Sequence, residues 1–290
     1  MNTILVTGAK GQLGSELQEI AHNNTDFTFI FTDYHELDIT DEHAVQAFFS
    51  THNIHYVINC AAYTAVDKAE TEYEQAHTLN AKAVGILAHV AHKKDIPFIH
   101  ISTDYVFNGK NHKPYTEDDT IHPESVYGTT KLEGENLALQ NHNKTLIIRT
   151  SWLYSSYGNN FVKTMIRLGK ERDELSVIFD QIGTPTYAYD LATAIIHIIS
   201  SVDRHTNTFT PGIYHFSNEG VCSWYDFAKE IHAYCNITCT VNPIKTEDYP
   251  TPAQRPFYSV LDKTKIKETY SLTIPYWKDS LHACLQKIEL

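Results

Sequence analysis

Thr3-Ile4-Leu5-Val6-Thr7-Gly8-Ala9-Lys10-Gly11-Gln12-Leu13-Gly14 runs an apolar strand into a turn punctuated by three glycines and then into a helix that carries Leu17, Ile20 and Ala21 on one face. A strand, a Gly-rich turn and a helix N-terminus form a cradle for pyrophosphate, because backbone N–H groups and the helix dipole converge on one point. The glycines at 8, 11 and 14 are spaced three and three, where the common dinucleotide fingerprint has two and three. The roles carry over: Gly8 permits a tight turn, Gly11 lets backbone approach phosphate, and Gly14 lets the helix approach the strand. A purely structural strand-to-helix turn would use the same residues, so the rest of the chain must decide between the two.

Outward from that stretch, short runs rich in Val, Ile, Phe and Thr recur at Phe27 to Thr32, Tyr56 to Asn59, Phe98 to Ser102 and Thr145 to Ile148. Between them lie segments long enough for helices. Thr40-Asp41-Glu42 reads as the cap of a helix holding Val45 and Phe48 to Phe49, and Asp67 to His92 reads as one long helix. The alternation predicts an α/β fold, a Rossmann-type doubly wound parallel sheet. After Arg149 the regularity breaks into the loop 154–160, then Pro185, Pro211-Gly212 and the prolines at 250, 252 and 256. We therefore expect a dinucleotide-binding domain over 1–150. A smaller mixed α/β C-terminal substrate domain should occupy 151–290, with about 186–202 able to pack back on the first.

Composition narrows the function. The 290 residues carry 23 Lys+Arg against 35 Asp+Glu, a net charge of −12, which argues against nucleic acid or an anionic membrane surface as partner. No apolar run approaches the roughly 20 residues of a membrane span, and Met1 to Val6 has no leader-like character, so the expected location is cytoplasmic. Cys60, Cys222, Cys235, Cys239 and Cys284 are odd in number and scattered, as reduced thiols would be. Cys235 and Cys239 near His232 lack a second ligand cluster, which favours structural thiols over a metal site.

The cofactor expectations extend beyond the glycines. Asp33 follows the second strand, where a carboxylate accepts from the adenosine ribose and repels a 2′-phosphate, so NADH is favoured, with Lys10 placed to offset part of that repulsion. An Asp at that place also suits a simple turn. Asp38 and Ile39 can flank adenine, and Cys60-Ala61-Ala62-Tyr63 ends the third strand in small residues that leave room for a cofactor.

Chemistry resides in the stretch Ile99-His100-Ile101-Ser102-Thr103-Asp104 and in Tyr127-Gly128-Thr129-Thr130-Lys131. On a helix, residues four apart share a face, so Tyr127 and Lys131 stand one turn apart, where the cation can lower the phenol's pKa from about 10. Thr103 can hydrogen-bond a substrate carbonyl at the carboxyl edge of the sheet. The set predicts ketone reduction: Tyr127 gives the proton and Lys131 holds the ribose hydroxyls and stabilises the developing phenolate.

These residues, with Asn59 to Glu70, Val126 to Gly134, Arg149 to Trp152, Gly158 to Phe161, Asp180 to Thr186 and Tyr249 to Pro256, resemble the extended short-chain dehydrogenases/reductases, and among them the dTDP-4-dehydrorhamnose reductase family. The resemblance runs nearly end to end. It implies catalytic roles for Thr103, Tyr127 and Lys131, and NADPH or NADH contacts from Gly11, Gln12, Leu13, Asp33, Asp38, Ile39, Ala61, Ala62 and Tyr63. Its implied substrate is a dTDP-linked 4-keto-6-deoxyhexose held by Val66, Asp104, Tyr105 and Trp152. An indole suits the apolar face of a deoxysugar, although Trp152 also suits a core. Arg255, between prolines, suits either the diphosphate or an interdomain ion pair.

Two departures qualify the resemblance. Some members bind Mg2+ at a dimer contact; Glu16 matches one ligand, but Tyr189 stands where another acid is expected, which leaves Mg2+ and the choice between monomer and homodimer open. Related dehydratases follow the Thr-Asp pair with a Glu, and here that place holds Tyr105, so dehydration is disfavoured. The competing readings are an epimerase or reductase for another nucleotide-linked ketosugar, and a non-catalytic cofactor-binding regulatory subunit.

Overall fold

A computed structural model describes residues 1–288. Strands β1 (Asn2–Thr7), β2 (Phe27–Thr32), β3 (Tyr56–Asn59), β4 (Phe98–Thr103) and β5 (Thr145–Thr150) lie parallel in one sheet. A sixth parallel strand, Gly212–His215, pairs with β5, giving the order 6-5-4-3-1-2. That is the doubly wound α/β arrangement the alternation predicts, and the order reverses beside β1, where such sheets bind ligands.

Because successive strand residues face opposite sides, each strand feeds two cores. Ile4, Val6, Ile58, Ile99 and Ile148 pack on one face with Leu13 and Leu17 of the helix Gln12–His22 and with Leu191 to Ile199 of the helix Ala188–Asp203. Leu5, Val57 and Phe98 pack on the other with Val45 and Phe49 of the helix Glu42–Thr51 and with Val84 to Ala91. Asp41 caps Glu42–Thr51 as its sequence suggests, accepting from the N–H groups of His43 and Ala44.

The stretch 67–92 is not one helix. It begins as Val66–Ala69, stops, resumes at Tyr73–His77, passes through a π turn at Thr78–Lys82 and continues as Ala83–Lys93. The N–H groups of Thr71 and Glu72 both bond the Lys68 carbonyl, which closes the first piece. The buried Asn80 in the π turn accepts from the N–H of Tyr63 at 2.8 Å, and its amide donates to the Tyr63 carbonyl and to Thr130. Tertiary bonding thus overrides a helical pattern to anchor the loop after β3.

A third core joins Tyr154, Val162, Leu175, Phe227, Val241, Trp277 and Leu281 around the parallel pair Glu174–Ile178 and Thr240–Ile244. Residues 151–288 do not all belong to it. Besides the helix Ala188–Asp203, the sheet strand Gly212–His215 and Ile266 and Tyr270 of the helix Thr264–Tyr270 pack with the first half.

Candidate active site

The glycine turn is built for close approach. Gly8 has φ +68°, and a Cβ there would stand 2.6 Å from the Ala61 nitrogen, while a Cβ on Gly14 would stand 2.4 Å from the Gly8 carbonyl oxygen. Only glycine fits either place. Two recesses meet at this turn. One, of about 250 Å³, is lined by Gly8, Gly11, Asp33, Asp38, Ile39, Ala61 and Ala62 together with Tyr34 and Thr40. The larger, of about 550 Å³, is lined by Gly11, Gln12, Leu13, Gly14 and Ala62 on one side and by Val66, Thr103, Asp104, Tyr105, Tyr127, Lys131 and Trp152 on the other.

Gly11, Cys60 and Ala62 belong to both recesses, so a single ligand can run from one into the other across the helix N-terminus. An extended dinucleotide fits that path: a small-residue cradle in the middle, a carboxylate-bearing recess at one end and the Tyr-Lys pair at the other. Asp33 is already engaged by its own turn, its Oδ2 accepting from the Lys10 N–H at 3.0 Å and its Oδ1 from the Tyr34 N–H at 2.9 Å. The Lys10 ammonium lies 3.7 Å from Glu36. Tyr63 lines neither of these recesses, its hydroxyl donating to Glu72.

The helix Val126–Asn141 presents the chemical pair. Ser125 caps it, accepting from the Gly128 N–H, and Gly128 itself allows contact with the Tyr105 backbone, since a Cβ there would meet the Tyr105 oxygen at 2.3 Å. The Tyr105 ring meets Tyr127 edge-on at 5.4 Å. The Thr103 hydroxyl stands beside the Tyr127 phenol and donates to Asp104 Oδ1 at 3.0 Å.

Burial controls the ionisation of these groups. It pushes Tyr127 up to about 12, the Thr103 hydrogen bond offsetting part of the rise, and it pushes Lys131 down to about 8 against the attraction of Glu135 and Cys60. Asp104 is pushed up to about 7, again chiefly by burial. The sequence expectation that Lys131 lowers the phenol's pKa is therefore corrected. Lys131 Nζ donates instead to the Ile101 carbonyl at 2.6 Å; burial dominates at Tyr127, where the Asp104 charge adds to the rise, and at Lys131, where it outweighs the attraction of Glu135.

The far wall of the larger recess holds a residue that sequence did not single out. Trp152, in the left-handed region at φ +48°, stacks on Trp224 with centroids 3.5 Å apart and planes 11° from parallel. Trp224 opens a helix capped by the Ser223–Asp226 box. The box marks a helix start in sequence, but nothing local says that its first residue reaches Trp152. Arg255 takes the ion-pair alternative, its guanidinium 2.7 Å from Asp67, which fastens the 252–256 loop to the segment after β3. It lines a separate, smaller recess with Gln254 and Pro256.

Glu16 is buried and accepts from the Ser155 hydroxyl at 2.5 Å, and among the described residues no three His, Cys, Asp or Glu side chains gather as a metal site. The His232 ring bonds the Met165 carbonyl at 3.0 Å, away from any thiol role. Among the described residues, no helix is long and apolar enough to cross a membrane.

A family model described as RmlD substrate binding domain matches residues 1–290. The chain belongs to the dTDP-4-dehydrorhamnose reductase family. It is 43% identical over 287 residues to the dTDP-4-dehydrorhamnose reductase of Aggregatibacter actinomycetemcomitans, covering 97% of each chain. It superposes on the crystal structure of a Clostridium acetobutylicum dTDP-4-dehydrorhamnose reductase with a TM-score of 0.91, 45% identity and 98% coverage of both chains. The corresponding structure from Bacillus anthracis, in complex with NADP, gives 0.93, 41%, and coverage of 99% and 100%. Membership in the dTDP-4-dehydrorhamnose reductase family makes this chain an NAD(P)-dependent oxidoreductase.

Proposed function

We propose that the chain reduces the C4 ketone of dTDP-4-dehydro-L-rhamnose to dTDP-L-rhamnose with NADPH or NADH, and that Tyr127 delivers the proton. The observation that carries this reading is the convergence of Thr103, Tyr127, Lys131 and Trp152 with the glycine turn in one cleft. When bound, the reduced nicotinamide supplies hydride to the ketone carbon. Tyr127, pushed up to about 12, keeps its proton through neutral pH, which is the form a reduction requires of its acid. The Thr103 hydroxyl, turning its single proton away from Asp104 Oδ1, donates to the ketone oxygen as charge develops there. Lys131 meets the ribose hydroxyls, Asp104 orients sugar hydroxyls, and Tyr105 and Trp152 with Trp224 behind it cover the apolar face and exclude water. Residues 151–288 supply most of that wall, and Asp33 favours an unphosphorylated ribose.

The test is loss of reduced-nicotinamide absorbance with each cofactor and a panel of 4-keto nucleotide sugars. Oxidation is expected above all with the dTDP-linked 4-dehydrorhamnose, with NADH at least as effective as NADPH. Turnover of a different ketosugar alone would reassign the substrate, and no oxidation with any would indicate a regulatory subunit.

A further inference from the structure

Lys131 is one end of a fully buried chain of hydrogen bonds that crosses three strands. Ala61 donates its backbone N–H to Asn59 Oδ1 at 3.2 Å, and Thr7 donates its hydroxyl to the same oxygen at 2.7 Å. A backbone N–H can only donate, so the oxygen of the Asn59 amide is identified and its nitrogen must face His100 Nδ1, 3.0 Å away. An amide nitrogen also only donates, so Nδ1 carries the lone pair and the neutral ring carries its proton on Nε2. That Nε2–H points at Lys131 Nζ, 3.4 Å distant. An ammonium has no acceptor to offer; a neutral amine does. Both side chains are buried, His100 at 0% and Lys131 at 2% exposure, so water does not relieve the conflict.

We propose that His100, locked by Asn59 as the Nε2–H tautomer, is a positioning residue that donates to Lys131 and favours its neutral amine, the form that predominates in the cofactor-free protein at alkaline pH. Lys131 then takes a proton from solvent when ribose hydroxyls offer it acceptors, so dinucleotide binding is coupled to proton uptake. Every charged or titratable group around Nζ bears on this. Cys60, after β3, and Glu135, one turn along the same helix, pull toward the charged form. Glu135 is largely spent on Arg149 of β5, bonding its Nε at 2.9 Å and its Nη2 at 2.7 Å, and on Ser102. Tyr127 stays a neutral phenol, and burial drives His100 well below its ordinary range, so no second cation forms. Burial, which pushes Lys131 down to about 8, acts in the same direction as this geometry.

The proposal rests on the reductase reading only in taking Lys131 as the residue that meets the dinucleotide, and its main test needs no turnover. The lysine 13Cε resonance, assigned by its loss in Lys131→Arg, and the histidine 15N spectrum are followed against pH in the cofactor-free protein. Expected are a proton on His100 Nε2 and a Lys131 midpoint near 8. A proton on Nδ1, or a midpoint near 10, overturns the proposal.

Asn59→Asp keeps the shape but accepts from Nδ1–H, turning the Nε2 lone pair toward Lys131, and should raise the midpoint at least tenfold in proton affinity. The double variant Asn59→Asp/His100→Phe separates tautomer from added charge: most of the rise should vanish, and a full rise retained sinks the idea. If the double variant does not fold, calorimetry of NADPH binding at pH 9 in buffers of different ionisation enthalpy decides. Wild type should take up close to one proton and Asn59→Asp no more than about half of one, and equal uptake contradicts the coupling.

Discussion

The glycine-turn side and the tryptophan side of the cleft, proposed for cofactor and sugar respectively, are made in opposite ways. Gly8, Gly11, Gly14 and Asp33 act within one β1–helix–β2 run, through backbone that the residues themselves shape. Trp152, Trp224 and Tyr105 come from separate elements: the two indoles stack on each other, and Tyr105 lines the same recess. Backbone recognition of a pyrophosphate needs a fixed local geometry, so its sequence signature is short. A wall for a sugar needs surface and rigidity, which distant side chains supply as well as neighbours.

Breaking the cofactor side should cost more. Gly14→Ala places a methyl 2.4 Å from the Gly8 carbonyl oxygen, where only backbone can yield. Overpacking of that kind costs ~3 kcal/mol at its upper end, and dinucleotide binding measured by fluorescence should weaken about a hundredfold. Unchanged binding would mean that the turn does not hold the cofactor. Trp224→Ala sharpens the comparison from the other side. Removing a stacked partner worth about 1 kcal/mol beyond its buried area should raise KM for the nucleotide sugar roughly fivefold, while NADPH binding stays as it was. A loss shared by both ligands would show that the two halves are not energetically separate.

The same contrast explains what was legible. The sheet, the Gly-rich turn, the Asp41 cap and the Tyr127–Lys131 face follow from local periodicity and spacing, and they are found where those signals place them. The break at Glu70 to Glu72 and the π turn around Asn80 were not legible: the first piece closes on the Lys68 carbonyl, and the second goes with the bonds that the Asn80 side chain exchanges with the Tyr63 backbone. Arg255 read first as a diphosphate ligand, with an ion pair as the alternative, and the pairing with Asp67 is visible only in three dimensions. His100 read as one residue of an apolar strand; its role depends on Asn59 and Lys131 from other elements. The ionisation of Tyr127 went the same way: spacing suggested a lowered phenol, and burial, which spacing does not report, reverses the sign.

That sign also sets a pH dependence. A lysine whose folded pKa lies near 8, below its unfolded value, makes the fold bind fewer protons than the unfolded chain between about 8 and 10. The Lys131 contribution to stability therefore rises with pH across that window in the cofactor-free protein.

The central claim is that the phenol of Tyr127 delivers the proton at the mouth of the sheet. Stopped-flow oxidation of NADPH by Tyr127→Phe, with cofactor affinity measured beside it, tests it most directly. The account predicts a fall in the hydride-transfer rate of about a thousandfold with dinucleotide affinity within about twofold of wild type. A rate equal to that of wild type would contradict it.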